Sequence, residues 1–427
     1  MSDNRSVVCF GAGPAFKGGM SNYNTSLAKA LDKSGEKVHI VSWIQQYPSI
    51  VPREFVDKVS RLDFLEGTQI ECRYITNYNN PLTYSETAKH IASLNPKKVI
   101  IQWSIAIQGL PIGRIVRKLK KICDCEVILD LHFVIQKEQS NIDVRLTKYG
   151  ISQADSFIVH ALKTFEELKE VFPKKKFDLT FSGERKLKDQ SNGTPVIKLF
   201  HPIYDLYQPD PKFDTEAFKK QIGVGEKVFL YFGFIRKYKG LHNAIKAFKL
   251  VADQRDDVSF LICGELFWNT MDSNSFITKV KKALFGVAKK IFLGNKEDEK
   301  DYNPLKLVDE LGLQNRTSVF SEFIPNEDVA KYFQIADAVV LFYETATPSG
   351  IESLSYNFDL PILATEVGHF PETIKEGENG YMAKAEDVES MARTMIKMLD
   401  NPIPAENVAK FKDSMSWEAY CEAILIS

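Results

Sequence analysis

The sequence predicts an α/β protein built as two βα-repeating halves joined by one linker, and three observations carry that expectation. Short apolar runs alternate with longer stretches of helical spacing. A segment with three prolines and no periodic pattern, His201 to Phe213 (HPIYDLYQPDPKF), divides the alternation in two. The 427 residues are too many for one ordinary core and fit two domains.

In the first half, Val7 to Phe10, Lys37 to Trp43, Lys98 to Gln102, Glu126 to Leu131 and Ser156 to His160 read as parallel strands. Helical patterns such as Ser21 to Ser34 and Gly113 to Ile122 lie between them. After a polar excursion over Gly183 to Pro195 comes a further strand, Val196 to Phe200. The second alternation runs through a strand at Val228 to Phe232, a helix at Leu241 to Gln254, strands at Ser259 to Cys263 and Ser318 to Ser321, a helix at Glu327 to Ala336 and a strand at Ala338 to Phe342. A helix near Ser349, a strand at Pro361 to Ala364 and a helix at Asp387 to Leu399 complete it. The run Asp400-Asn401-Pro402-Ile403-Pro404 breaks that last helix, and Glu406 to Ile426 has a terminal helical pattern. The expected domains are therefore 1–202 and 203–400, the second with an insertion at 267–301, followed by a terminal helix over 401–427.

Hydrophobic residues at 44% and charged residues at 26% are an ordinary globular composition, and a net charge of −1 gives no global attraction to nucleic acid. The six cysteines are scattered without metal-ligand spacing, which predicts free thiols and, with no signal peptide at the N-terminus, a cytoplasmic protein. No apolar run approaches the roughly 18 residues of a spanning helix. Within the insertion, Ile277, Val280, Leu284, Val287, Ala288 and Ile291 fall at helical spacing among Lys279, Lys281, Lys282, Lys289 and Lys290. This basic amphipathic helix, 276–292, fits either packing on its own domain or peripheral contact with an anionic membrane face. A second basic helix, Arg114 to Lys121, reads by itself as a solvated face, and the two basic patches together make membrane association worth testing.

Two segments carry chemistry. Phe229 to Gly240 (FLYFGFIRKYKG) reads as a strand ending at Gly233, a loop with Arg236, Lys237 and Lys239, and then a helix. Beyond the carboxyl end of a parallel strand, cations and free N–H groups at a helix start favour an anion. In Ala346 to Glu372, Thr347 is the expected N-cap and Pro348 the first helical residue, with the Ser349-Gly350 turn opening backbone amides to a bound group. Together they suggest a site for a nucleotide-sugar diphosphate. No two aspartates lie two residues apart, so no Asp-x-Asp metal ligand is expected and the cations and helix termini must stabilise the leaving charge. A dinucleotide fingerprint fits less well. After Gly11-x-Gly13 comes Phe16 where the third glycine belongs, and Trp43 ends the second strand where an acidic ribose ligand would stand.

These residues resemble the GT-B glycosyltransferases, specifically the retaining family four group of bacterial polysaccharide and glycolipid enzymes (group 1). The likeness runs in order through GPAFKGGMSNYNTSLAKAL and SGEKVHIVSW, then LDLHFV, ADSFIVHA and FHPIYD. It continues in YFGFIRKYKG, SEFIPNEDVAKYFQIADAVVLFY and SGIESLSYNFDLPILATEVGHFPE. It implies two Rossmann-like domains facing each other across a cleft, the first for the acceptor and the second for the nucleotide sugar, with the C-terminal helix crossing back to the first.

By this resemblance Arg236 and Lys239 contact the diphosphate, and the Gly18-Gly19 loop faces it across the cleft. His132 corresponds to the active-site histidine near the transferred sugar. Gly233, Ile324, Ser349, Gly350 and Glu352 belong to the donor site, and Asn22, Trp43 and Glu138 to the acceptor side. The family's carboxylate pair, Glu-x7-Glu with a proline seven residues further on, is altered. Glu344 and Glu352 keep the spacing between themselves, but counting back from Pro361 puts Ala346 and Leu354 at the signature positions. His160 and His201 read as residues that cap strands.

The implied activity is retaining, metal-independent transfer of a sugar from a nucleotide-sugar donor to a glycan or lipid-linked acceptor. No cofactor is expected. A nucleotide-sugar epimerase and a catalytically silent subunit that binds a partner transferase or a membrane are the alternatives.

Overall fold

The computed structural model describes residues 5–49, 51, 54–135, 141–187, 192–267 and 302–426. The first sheet has eight strands: β1 (Ser6–Gly11), β2 (Val38–Gln45), β3 (Glu71–Asn77), β4 (Pro96–Trp103), β5 (Glu126–Leu131), β6 (Ser156–Val159), β7 (Phe177–Thr180) and β8 (Thr194–Lys198). The second has six: β9 (Lys227–Phe232), β10 (Val258–Cys263), β11 (Thr317–Phe320), β12 (Ala338–Leu341), β13 (Ile362–Thr365) and β14 (Gly380–Ala383). Every pairing in both sheets is parallel. Such strands are covered on both faces, which is why SVVCFG, EVILDL and VSFLIC are buried end to end and read as continuous rather than alternating runs.

Strand order locates the clefts. The sheets run β3-β2-β1-β4-β5-β6-β8-β7 and β11-β10-β9-β12-β13-β14, so the order reverses between β1 and β4 and again between β9 and β12. A ligand crevice opens at such switch points, outside the carboxyl ends of the strands. Most of the expected site residues follow β1 in one domain and β9 and β12 in the other, while His132 follows β5, next to β4.

One apolar cluster fills the other face of the first sheet with Val8, Phe10, Trp43, Trp103 and Leu129. The larger cluster runs from Tyr23 and Leu27 through Phe64, Tyr204 and Tyr207 into Phe229, Phe248 and Phe333 of the second domain. The two domains thus share continuous packing through the linker.

The terminal helical pattern is broken in the structure. Helices Ala405–Ala409 and Trp417–Leu425 flank a short turn, because Ser416 adopts an extended conformation and caps the last helix by accepting from Ala419 N. That helix lies on Gly19–Lys33 of the first domain. Trp417 Nε1 donates to Ile203 O at 2.7 Å, and Arg185 donates to Ala423 O and Ile424 O.

Three strands went unread in the sequence. β3 is an edge strand of mixed polarity, β7 is a four-residue edge, and β14 is four residues starting with a glycine. The insertion's basic helix, 276–292, and Glu138 lie outside the described residues. Among the described residues no helix is long and apolar enough to cross a membrane, and all six cysteines are free thiols.

Candidate donor and acceptor site

The loop after β9 is shaped by Gly240. Its φ is 63°, and a side chain there would put Cβ 2.0 Å from Phe342 O at the end of β12. Only glycine lets the Lys237–Lys239 turn sit against the neighbouring strand, and that contact turns Lys239 inward. A methyl built on Gly233 would lie 3.3 Å from both Lys239 Nζ and Ile351 Cδ1, so the ammonium stands between the strand end and the first turn of helix Gly350–Asn357. Burial, and then the neighbouring Arg236 charge, pull the Lys239 pKa down to about 8. Arg236 stands at the rim, its guanidinium 4.4 Å from the Phe267 ring centroid and 5.2 Å from that of Tyr238.

The cap of Gly350–Asn357 is Ser349, two residues beyond the expected Thr347. Its backbone is extended, and its hydroxyl accepts from Ile351 N at 3.3 Å. Pro348 precedes the cap instead of opening the helix. The glycine loop reaches this turn through Tyr204 of the linker. Tyr204 OH donates to Gly19 O at 2.9 Å while its ring packs on Gly350. Phe234 covers Gly18, where a side chain would meet its ring at 3.2 Å. Lys239, Gly233, Ser349, Gly350, Gly18 and Gly19 are therefore gathered at one place.

On the flank, Lys17 reaches across to the second domain, 3.8 Å from Glu265 and 4.6 Å from the Phe323 ring centroid. The neighbouring Ile324 is buried. Ser60 Oγ accepts from Asn326 N at 2.9 Å, and the Glu327 carboxylate accepts from Arg61 N. Asn22 donates to Tyr207 OH at 2.8 Å, which in turn donates to Asn326 Oδ1 at 2.9 Å. Asn22, expected on the acceptor side, thus closes the two domains together. Trp43 is a correction: it is 2% exposed and packs on Phe10, 5.3 Å between ring centroids, inside the core and out of an acceptor's reach.

His132 follows β5 as expected, but it is buried in a histidine cluster. Its Nε2 is 2.8 Å from Gln102 Oε1, and Tyr23 packs edge-on to its ring at 4.6 Å. His160 Nε2 pairs with Asp130 Oδ1 at 2.8 Å, and Tyr420 OH donates to Asp130 Oδ2 at 2.9 Å. Burial pushes the Asp130 pKa up, but His160, His132 and the Tyr420 hydroxyl together outweigh it and hold the carboxyl at about 2. Burial lowers His132 to about 4 against the pull of Asp130. His201, whose Nδ1 is 2.7 Å from Ser353 Oγ, is pushed well below the usual imidazole range by burial and by the neighbouring histidines. His160 and His201 are thus parts of a network between the domains more than strand caps. Asp130, His132 and His160 bring ligand atoms within 4.8 Å of one another, as a metal site would need. Both Asp130 oxygens, one nitrogen of His160 and one of His132 are already taken by the hydrogen bonds just named.

Glu352 departs from its expected role. Its side chain is buried, with one carboxylate oxygen on His369 Nε2 and the other accepting from Thr373 Oγ1, so both are committed within the domain. Ala346 and Leu354, at the altered signature positions, are buried apolar residues. Glu344 lies 3.5 Å from His242 Nε2, whose Nδ1 is 2.9 Å from Tyr302 OH. Sequence reasoning missed Tyr204, Tyr207, Gln102 and His369. The Tyr204 and Tyr207 pair within a short linker was the one available signal.

Residues 212–415 match the family model described as glycosyl transferases group 1. Spore coat protein SA of Bacillus subtilis (strain 168) is 21% identical over 253 residues, 57% of this chain and 59% of that protein. The 2-deoxystreptamine glucosyltransferase of Streptomyces kanamyceticus is 24% identical over 211 residues, 48% of this chain and 45% of that protein. The chain thus spans about half the length of the curated relatives it matches. Among solved structures, sucrose-phosphate synthase from Thermosynechococcus elongatus superimposes with a TM-score of 0.63 at 15% identity, covering 98% of this chain and 96% of that one. Anabaena Alr3699/HepE in complex with UDP-glucose gives 0.61 at 13% identity, covering 97% and 94%. At these identities the structures establish the shared two-domain GT-B fold.

Proposed function

We propose that this chain, a glycosyltransferase with a group 1 domain over residues 212–415, transfers one sugar with retention of configuration and without a metal from a nucleotide-sugar donor to a glycan or lipid-linked acceptor. The observation that carries the reading is the convergence of Lys239 and the Ser349-Gly350 turn on the face opposite the Gly18-Gly19 loop. As the bond to the donor sugar breaks, negative charge grows on the diphosphate. An ammonium already in place, with Arg236 at the rim and the exposed amides of a helix start, stabilises that charge without reorganising.

No protein carboxylate is assigned as nucleophile. Glu352 is engaged with His369 and Thr373, and the signature positions are apolar. The leaving phosphate itself then takes the acceptor's proton, on the face from which it departs. Gly18 and Gly19 give the acceptor close access to the backbone, and His132 lies on the sugar's side of the cleft. The expected setting is polysaccharide or glycolipid synthesis in the cytoplasm, with peripheral contact at the inner membrane face.

UDP-sugars are the first donors to try, since HepE was solved with UDP and glucose. The test incubates the protein and a chelator with a panel of nucleotide sugars and with free and lipid-linked glycan acceptors, then assigns the anomeric configuration of the product by NMR. A product with the donor's configuration is expected. An inverted product, or turnover that stops with chelator, contradicts the mechanism.

A further inference from the structure

We infer that Gln102 is a positioning residue that holds His132 as its Nε2–H tautomer, leaving Nδ1 as the ring atom offered to a hydroxyl of the bound sugar. The inference rests on the reading of His132 as part of the transfer site.

The two residues meet because β4 and β5 are parallel neighbours with Gln102 beside Asp130 and Trp103 beside Leu131. His132, the next residue of its strand, donates its backbone N–H to Trp103 O at 3.0 Å, which fixes where the ring begins. Gln102 is then placed from behind by Gly11 of β1. A Cβ on Gly11 would lie 2.8 Å from Gln102 Cγ and 3.1 Å from its Cβ, too close for any side chain. The glycine that the dinucleotide fingerprint failed to explain is thus needed to seat Gln102. Tyr23, edge-on to the ring at 4.6 Å and 90°, limits its rotation.

With its pKa near 4, the His132 ring is neutral at neutral pH, so one nitrogen carries the proton and the other a lone pair. With its amide turned so that the oxygen faces Nε2 at 2.8 Å, Gln102 can only accept there, and this orientation of the amide places the proton on Nε2. Among the described residues no protein group hydrogen-bonds to Nδ1. Gln102 Nε2 is itself buried without a partner, a cost of about 1–3 kcal/mol for an amide that an apolar residue would avoid. Such a cost is understandable where the amide oxygen orients a working ring. A lone pair at Nδ1 can accept from a sugar hydroxyl and align it, and it cannot hand a proton to the departing phosphate.

The experiment is long-range proton–nitrogen correlation NMR on the full chain labelled with nitrogen-15 histidine, with His132 assigned from the signal missing in His132→Asn. The wild type is expected to show the Nε2–H pattern. Gln102→Glu is expected to keep it and to raise the His132 pKa, because a carboxylate favours the protonated ring. Gln102→Leu is expected to lose the single tautomer and to lower kcat by on the order of tenfold, with the donor KM within twofold. An Nδ1–H pattern in the wild type, which needs no variant to fold, overturns the inference. So does an unchanged tautomer in Gln102→Leu. Titration with UDP, GDP, ADP and dTDP separates this from the broader reading: failure of all four to bind removes the sugar site itself, whereas a wrong tautomer with intact binding removes only the role of Gln102.

Discussion

Tyr204 stands where a side chain at Gly350 would have to go: a Cβ on the glycine would lie 2.6 Å from the tyrosine Cε2. The linker between the domains therefore reaches the first turn of helix Gly350–Asn357 and ties it to the glycine loop through Gly19. Gly350→Ala must displace that ring, at about 1–3 kcal/mol. The expected result is a lower thermal midpoint together with weaker nucleotide binding. Tyr204→Ala on the same background should restore much of the loss, and a strictly additive double variant would show that the two residues do not press on each other.

Arg185 holds the last helix to the first domain. It donates to both Glu126 oxygens and to the carbonyls of Gly183, Ala423 and Ile424, all in a buried setting. Lys98 still pairs with Glu126 at 2.7 Å when the arginine is gone. Arg185→Ala should accordingly cost about 3 kcal/mol, the lower end for breaking a buried pair. Denaturant unfolding measures it, and a change under 1 kcal/mol would mean the contact contributes little.

Glu352→Ala separates a structural carboxylate from a donor ligand. Loss of the partners of His369 and Thr373 in a buried position should destabilise by roughly 2–4 kcal/mol. Nucleotide affinity at a temperature where the variant is folded should stay within threefold. A hundredfold loss of affinity with intact stability would return Glu352 to the donor site.

Acid should loosen the joint between the domains. His132 and His201 are buried neutral, with folded pKa values below the unfolded value near 6.5, so unfolding takes up protons as the pH falls. The stability they contribute is complete above about 6.5 and is lost on descending toward 4, the folded value for His132. Asp130, at about 2, acts in the same direction but at lower pH: its contribution is complete above the unfolded carboxylate value and fades as the pH falls through 2. Unfolding midpoints measured between pH 7 and 4 should fall, and His132→Gln should flatten the slope.

Much of this was legible in the sequence. The strands flanking both switch points were visible because buried parallel strands are continuous apolar runs, as in Val228 to Phe232. Lys239 and the Ser349-Gly350 turn were found from what an anion requires at a helix start. What escaped depends on distance in the chain. Gly240 could be recognised as necessary only once Phe342, 102 positions later, was known to sit beside it. Tyr204 carries no local pattern, and Glu352 matched a spacing while its oxygens were committed to His369 and Thr373. Trp43 lies two residues before the end of β2, and its side chain turns to the core.

The most direct test of the account is calorimetric titration of the wild type and Lys239→Ala with UDP, with and without chelator. The Lys239 ammonium, at about 8, is charged at neutral pH and is the group placed between Gly233 and the helix start. The account predicts chelator-insensitive binding by the wild type, weakening toward tenfold per unit as the pH rises above 8 and the free lysine loses its proton. It predicts a loss of about 2–3 kcal/mol, roughly a hundredfold, in Lys239→Ala. Equal affinity for the two proteins, or binding that vanishes when the chelator is added, would contradict it.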